Sequence, residues 1–427
     1  MRAPGNGVRR PSSAWSRALL VAVVLLIGLV PEIGRAQSGP PPTPVPLPGG
    51  GTSPSPFPQV LRTPEASSAP PELDAAAAVL ADLDSGQILY DLNGGERRPI
   101  ASLTKIMTAA VVLQRSSPTD VVTVSDVAAS PRIAGISGLG LAAGERIRVD
   151  ELVYALMLQS ANDAAEALAE HVAGSVDAFV SLMNRRAEAL GLRRTRFASP
   201  NGLDDTGYST ARDLARLTRA AYRSRGFSSI VATRLHTITA PDSAPRTVQN
   251  RNVLLWLYPG AVGVKTGYTS EAGFCVVATA ERDGERRIVV ILGEPGEPFS
   301  DAAALLNYGF DAFERRPLVR AGEQMPAVDV DGRTVSVVAG ASLTGLVPAA
   351  ERVQRVNVPD ERIPYPPPRG QAIGVVQVTA GGRSFGEVPL VVAGVPPPPP
   401  PEEGSWWSRA VGSVLEAGTG VLEALFG

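Results

Sequence analysis

The sequence predicts a mixed α/β domain over residues 73–316, followed by a small all-β domain over 317–395. Strand-type alternation opens and closes the first region, and a long block of helical periodicity fills its middle. Beyond Arg316 only short alternating runs remain. The chain has 427 residues, 44% of them apolar. That is enough for a sizeable core and roughly two or three domains.

Ahead of this region, Arg2, Arg9, Arg10 and Arg17 precede an uninterrupted apolar run over 18–30. As a helix the run would span about 20 Å, short of the roughly 30 Å hydrocarbon core of a bilayer. It therefore reads as the apolar stretch of a signal peptide over 1–36, cleaved after Ala36, with an uncleaved anchor as the alternative. The mature protein is then expected outside the cytoplasm, in the periplasm or cell envelope. Cleavage removes five arginines and one glutamate from a net charge of −2, leaving about −6. Over 37–72, prolines, glycines and serines leave too few apolar side chains to offset chain entropy, which predicts an extended linker.

Residues 75–83 and 87–92 alternate on either side of Asp84-Ser85-Gly86 and read as a hairpin. Apolar spacing becomes helical over 100–113, 149–158, 163–171, 176–190 and 211–222. Two strands follow at 274–280 and 287–292, joined through Asp283-Gly284, residues that tolerate the positive φ of a tight turn. A helix over 301–313 closes the region. In the second region, 327–330, 333–338, 372–378 and 388–392 alternate as short strands. Prolines at 396–401 end it. Apolar groups at 407, 411, 414, 415, 421, 422 and 425 then share one helical face, so 396–427 reads as a Pro-rich spacer and an amphipathic C-terminal helix.

Composition narrows the chemistry. With 40 Lys plus Arg against 42 Asp plus Glu, no basic surface for nucleic acid is implied. The single cysteine, Cys275, excludes an intramolecular disulfide, and it reads as a small buried hydrophobe on a strand. His171 and His236 lie too far apart for a local zinc motif and read as structural. Neither metal nor organic cofactor is expected. Only Lys105 and Lys265 are lysine; every other basic residue is arginine, which stays protonated and cannot act as a base.

Ser102 and Lys105 lie three apart at the start of a predicted helix, so a hydroxyl and an amine can share one face. A lysine whose pKa is lowered by burial or a neighbouring cation can take the serine proton as the oxygen attacks a carbonyl. An N-cap serine with a surface lysine would give the same string. Ser160-Ala161-Asn162 follows one predicted helix and precedes another. There a hydroxyl could pass protons and an amide could hold a substrate carbonyl, or both could simply cap. Lys265-Thr266-Gly267 comes just before Tyr268 and an apolar strand. On a strand edge, Lys265 and Thr266 could hold a carboxylate and Gly267 could let substrate approach the backbone; an ordinary turn is the alternative. Gly138-x-Gly140-x-x-Ala143 imitates a dinucleotide fingerprint but lacks a surrounding strand-turn-helix unit, and reads as a loop near the cleft.

In that order, Ser-x-x-Lys, Ser-x-Asn and Lys-Thr-Gly are the motif set of class A β-lactamases and penicillin-binding proteins. Longer stretches carry the likeness further: Pro99-Ile100-Ala101-Ser102-Leu103-Thr104-Lys105-Ile106-Met107-Thr108, Ser160-Ala161-Asn162-Asp163-Ala164-Ala165, Asn201-Gly202-Leu203-Asp204 and Val264-Lys265-Thr266-Gly267-Tyr268-Thr269. From about 73 to 316 the chain resembles the D-alanyl-D-alanine carboxypeptidase family, the low-molecular-mass penicillin-binding proteins. Arg369-Gly370-Gln371-Ala372-Ile373-Gly374 resembles that family's C-terminal domain, and the amphipathic tail resembles its membrane anchor.

The resemblance implies a β-lactamase/penicillin-binding-protein-like transpeptidase fold, an antiparallel sheet with a helical cluster. It implies acylation of Ser102 by a peptidoglycan stem peptide ending in D-Ala-D-Ala, Lys105 as base, and Ser160 and Asn162 assisting proton transfer and orientation. Lys265 and Thr266 would meet the terminal carboxylate, with Arg251 as a further anion contact. The backbone N–H groups of Ser102 and Tyr268 would polarise the carbonyl. β-Lactam antibiotics would be inhibitors. Members often carry an arginine just after the strand that here ends at Leu292-Gly293, where this chain reads Glu294-Pro295-Gly296-Glu297-Pro298. An endopeptidase acting on cross-linked peptides would use the same groups, and a catalytically dead wall-binding module is the non-enzymatic alternative. A β-lactamase of class A needs a glutamate that holds water. Between Asp163 and Val264 only Glu166, Glu170 and Glu188 occur, none followed by asparagine four residues on.

Overall fold

The computed structural model describes residues 69–134, 137–241 and 243–394. The predicted signal segment, nearly all of the linker and the C-terminal helix lie outside the described residues. Among those described, no helix is long and apolar enough to cross a membrane.

The chain enters through β1 (Ala77–Asp82) and β2 (Ile88–Leu92), then a 3-10 turn (Ala101–Thr104) that runs into α1 (Lys105–Arg115). A small ribbon of β3 (Val121–Thr123) and β4 (Arg146–Arg148) leads to α2 (Val149–Tyr154), whose last turn widens into a π-turn (Ala155–Gln159). Four helices follow: α3 (Asn162–Ala173), α4 (Val176–Ala189), α5 (Ala211–Ala221) and α6 (Arg225–Ala232). Side chains fix three of these starts: Ser175, Thr210 and Ser224 each accept the backbone N–H three residues on. A hairpin of β5 (Leu235–Ala240) and β6 (Ser243–Gln249) returns the chain to the sheet, which is completed by β7 (Ala261–Thr269), β8 (Gly273–Arg282) and β9 (Glu285–Glu294). Then comes α7 (Phe299–Asp311).

The central sheet has the order β2-β1-β9-β8-β7, antiparallel throughout, with β7 on an edge. Its period of two divides the interior. Ala77, Val79 and Ala81 of β1 join Ile288, Val290 and Leu292 of β9 in the larger core, under the helical cluster. Ala78, Leu80, Val289 and Ile291 point the other way, into a second core closed by Leu305 and Leu306 of α7. Burial on both faces makes β1 an apolar run over 77–81, closed by the buried Asp82. The β8–β9 turn falls where the sequence places it, with positive φ at both Asp283 and Gly284, as a type I′ hairpin requires.

The second region is all-β, with β10 (Phe313–Val319), β11 (Gln324–Val330), β12 (Arg333–Ala339), β13 (Leu343–Pro348), β14 (Val353–Pro359), β15 (Ala372–Ala380) and β16 (Arg383–Gly394). Five of these form one sheet in the order β11-β12-β16-β15-β14, and β10 pairs with β13. β10 passes through Arg316 without a break: Phe313 packs in the second core, Leu318 and Val319 in the third. Leu346 of β13 also enters the second core. The Gln87 side chain pairs with the Leu346 backbone, donating from Nε2 to its carbonyl (2.5 Å) and accepting its N–H at Oε1 (3.0 Å).

Candidate active site

The site forms where the helical cluster meets the edge strand. Ser102 lies in the 3-10 turn, in which side chains three apart eclipse, so Lys105 stands directly beside it. Lys105 Nζ is 2.9 Å from Ser102 Oγ, 2.8 Å from Asn162 Oδ1 and 2.6 Å from the Asn201 carbonyl. An ammonium would donate to all three acceptors. A neutral amine donates to the two amide oxygens and turns its lone pair to the serine hydroxyl. Lys105 is wholly buried, and none of the ion pairs among the described residues includes it. Burial first, and then the nearby Arg251 guanidinium, bring its pKa down to about 7, while the Asp163 charge works the other way.

Ser160 ends the π-turn in the left-handed region, at φ 67 and ψ 34. π-Turns recur at functional sites. Its Oγ is buried without a hydrogen-bond partner among the described residues. Asn162, at the start of α3, donates its backbone N–H to the Ser137 carbonyl (2.7 Å). On β7, Lys265 is buried with its Nζ on the Thr266 carbonyl (2.9 Å). Burial, then Lys105 and Arg251, hold its pKa well below the ordinary lysine value. Gly267 abuts the Ile100–Ser102 backbone, Thr266 is half-buried, and Tyr268 is exposed with its ring 4.5 Å from that of Phe274. Arg251 follows the β5–β6 hairpin. Its Nη1 donates to Ser137 Oγ (2.8 Å), and its charge reaches both lysines. The structure thus gathers all nine sequence-predicted residues along one junction.

Two contributors are not among those nine. Asp163, fully buried, accepts the N–H groups of Leu139 (2.9 Å), Gly140 (2.9 Å) and Leu141 (3.2 Å) on its carboxylate. Gln159 Nε2 donates to the Gly138 carbonyl (2.9 Å). The false dinucleotide fingerprint is therefore a loop pinned to the Ser160–Asp163 segment, and it carries Ser137 to both Asn162 and Arg251. The second contributor is the backbone of Asn201-Gly202. A Cβ on Gly202, at φ 82, would fall 2.0 Å from the Ala101 carbonyl oxygen, so only glycine lets Asn201 reach Lys105. The signal in the sequence was Asn-Gly itself, which marks a turn without saying what it touches.

Other expectations resolve simply. Cys275 is buried directly across from Gly267, its thiol pushed up to about 11 by burial. His236 stacks on Tyr154 and pairs with Glu151 (2.8 Å), clamping the β5–β6 hairpin to α2, while His171 is exposed on α3. Glu294 is buried beside Asp301, its carboxyl raised to about 7 by desolvation and that neighbour, so the turn after β9 brings no cation.

A serine hydroxyl, a lysine of lowered pKa beside it, and a second lysine and a guanidinium close by suit acyl transfer from an anion-terminated amide. With the antiparallel sheet and helical cluster, they define a serine peptidase of the penicillin-binding class. The family model described as D-alanyl-D-alanine carboxypeptidase matches residues 64–296. D-alanyl-D-alanine carboxypeptidase DacC of Escherichia coli is 34% identical over 340 residues, covering 75% of this chain and 84% of that protein. DacF of Bacillus subtilis is 31% identical over 331 residues, covering 74% and 84%. The crystal structure of penicillin-binding protein 5 from Haemophilus influenzae superposes with a TM-score of 0.63 at 32% identity, covering 77% of this chain and 98% of that one. That of DacD from Francisella tularensis gives 0.67 at 28%, covering 78% and 96%. The chain belongs to the D-alanyl-D-alanine carboxypeptidase family.

Proposed function

We propose that the enzyme removes the terminal D-alanine from peptidoglycan stem peptides through an acyl-enzyme on Ser102. The observation that carries this is Lys105 Nζ at 2.9 Å from Ser102 Oγ, in an environment that lowers the pKa of the amine to about 7. Neutral Lys105 takes the hydroxyl proton as Oγ attacks the carbonyl carbon of the penultimate D-alanine. The N–H groups of Ser102 and Tyr268 receive the developing oxyanion. The C–N bond then breaks, and the departing amine takes a proton through Ser160, whose Oγ has no hydrogen-bond partner among the described residues and can relay it. Water attacks the ester, returns a proton to Ser102, and releases the shortened peptide. Thr266, Lys265 and Arg251 meet the terminal carboxylate, and Asn162 holds the substrate amide. A β-lactam ring opens onto the same oxygen.

In this reading residues 73–316 form the catalytic domain and 317–395 a small β domain. The enzyme works outside the cytoplasm after cleavage near Ala36, with the C-terminal helix resting on a membrane surface. The test is incubation of the protein and of Ser102→Ala with a fluorescent penicillin and with a pentapeptide stem. Long-lived label and free D-alanine, both lost in the variant, support the proposal. Rapid drug turnover without peptide cleavage would make it a β-lactamase, and release of cross-linked dimers in preference to D-alanine an endopeptidase. Neither label nor product would leave a binding module.

A further inference from the structure

Residues 184–225 carry ten arginines against four carboxylates, Glu188, Asp204, Asp205 and Asp213, in a chain whose net charge is −2. On α5, Arg212, Arg216 and Arg219 recur at i, i+4 and i+7, a single stripe opposite the buried Leu214, Leu217 and Ala221. Arg216 Nη1 donates to the Gly191 carbonyl (2.9 Å) at the rim of a groove of about 720 Å³. Asn184, Glu188, Arg193, Thr195, Arg196 and Tyr208 line that groove. Arg97 lies over the Tyr208 ring, 4.8 Å from its centroid. Arg193 and Arg196 are exposed, and neither they nor Arg97 stand within 4 Å of a carboxylate among the described residues. Glu188, Asp204 beside Arg196, and Asp91 and Asp213, which pair with Arg212 and Arg216, offset part of this charge, while Arg97 and Arg193 stay without an acidic partner among the described residues.

We propose that this groove docks an anionic, carboxylate-bearing strand of peptidoglycan outside the catalytic site. The identity of the polymer rests on the function proposed above; the anionic chemistry does not. Guanidinium forks match carboxylates in pairs, and a concave surface with unpaired forks fits a chain. A bilayer fits less well. Interfacial binding combines basic residues with apolar side chains that insert, and none of the exposed large apolar residues lines this groove. The groove also adjoins the nucleophile's own segment. Tyr208 pairs with Arg196 and Ser209 with Arg98, four residues before Ser102.

The test is sedimentation with purified sacculi, using full-length protein blocked at Ser102 by penicillin, for the parent and Arg193→Glu/Arg196→Glu. Both side chains are exposed, and an unchanged thermal midpoint checks the fold. Parent binding should fall as salt rises, because about 0.15 M salt screens charges beyond roughly 8 Å. The double variant should bind at least five-fold more weakly, and Arg193→Lys/Arg196→Lys, which keeps the charge but not the fork, should recover only part of the loss. In unblocked enzyme, turnover on sacculi relative to a soluble pentapeptide should fall by a similar factor. Equal sedimentation of parent and double variant would overturn the proposal. So would equally tight, equally arginine-dependent binding to phosphatidylglycerol vesicles, which would make the groove a headgroup site. Failure of the parent to release D-alanine from the pentapeptide would count against the substrate reading alone.

Discussion

Gly267 stands against the amide of Ser102 so closely that a Cβ on it would lie 3.1 Å from that nitrogen and 3.1 Å from the Ile100 carbonyl oxygen. The edge strand and the nucleophile turn are thus held at backbone contact. Any side chain at 267 must push them apart by a few tenths of an ångström. Removing one oxyanion donor costs roughly 10²–10³ in rate. A displaced donor should cost less, so Gly267→Ala should slow acylation by about ten- to a hundred-fold. The second-order rate of labelling by a fluorescent penicillin measures this. An unchanged rate would remove the strand from the polarising pair.

The lysine base predicts a pH profile and the direction in which two variants move it. Lys105 has its pKa lowered to about 7, so its neutral form and kcat/KM for the peptide should rise as pH climbs through about 7. Arg251 disfavours the ammonium, so Arg251→Gln should let Lys105 hold its proton longer and move the acid limb to higher pH. Asp163 favours the ammonium, so Asp163→Asn should move the limb to lower pH. Neither abolishes the shift, because burial is its largest cause. The groups facing Lys105 are Ser102, Asn162, Asn201, Asp163, Arg251 and Lys265. Limbs displaced in the same direction by both variants would show that charge is not the cause.

Asp163→Asn should also loosen the 139–141 loop. The carboxylate accepts three loop N–H groups, whereas an amide keeps one oxygen and presents its NH₂ to donors. Leaving a buried donor unmet costs about 1–3 kcal/mol. The expected readouts are a lower melting temperature and faster amide exchange at Leu139 and Gly140. A raised KM should follow, since Ser137 would no longer fix Arg251. Asp163→Glu, which keeps the charge but lengthens the arm, should recover the pH limb more fully than the loop.

Local periodicity carried the helices because each buries one stripe under a single core. It also carried β8 and β9, whose apolar runs and Asp283-Gly284 turn are local signals. The short ribbon β3–β4, the half-exposed β5–β6 hairpin and helix α6 were not legible. Their few buried positions, such as Val122, Ile147, Ile238 and Val248, gain meaning only from tertiary contact. β14 escaped for a related reason, since Val353–Pro359 shows no fully buried position and its side-chain ties, Arg355 to the Leu318 carbonyl (2.7 Å) and Asn357 to the Pro326 carbonyl (2.7 Å), are made to residues distant in sequence. At the site, residues bearing unusual chemistry were readable as motifs. The backbone carbonyl of Asn201 and the loop-holding role of Asp163 were not, because a carbonyl carries no sequence label and an aspartate at a helix start passes for a cap.

Asp82, Arg287, Arg315 and Glu285 tie β1, β9 and β10 together beneath the sheet, and this group predicts both a stability loss and an acid sensitivity. Asp82 and Arg287 are buried; Arg287 Nη1 donates to Asp82 (3.1 Å) and to Glu285 (3.0 Å), and Arg315 Nη2 to Asp82 (2.8 Å). Removing one partner of a buried pair costs about 3–5 kcal/mol, because the other charge is left behind. Asp82→Ala should fall toward the lower end of that range, since Glu285 and the Gly309 carbonyl (2.9 Å) still accept from Arg287. Arg315 and Arg287 depress the Glu285 pKa to about 2 from 4.5. A depressed carboxylate gives stability that is whole above the unfolded pKa and is lost as pH falls through the folded one. The contribution of Glu285 should therefore be intact above pH 4.5 and disappear toward pH 2. Urea midpoints at pH 7, 4 and 2.5 test this, with Glu285→Gln expected to be less stable than the parent at pH 7 and to lose less on acidification. A constant gap between the two proteins across that range would show that Glu285 does not titrate as the geometry requires.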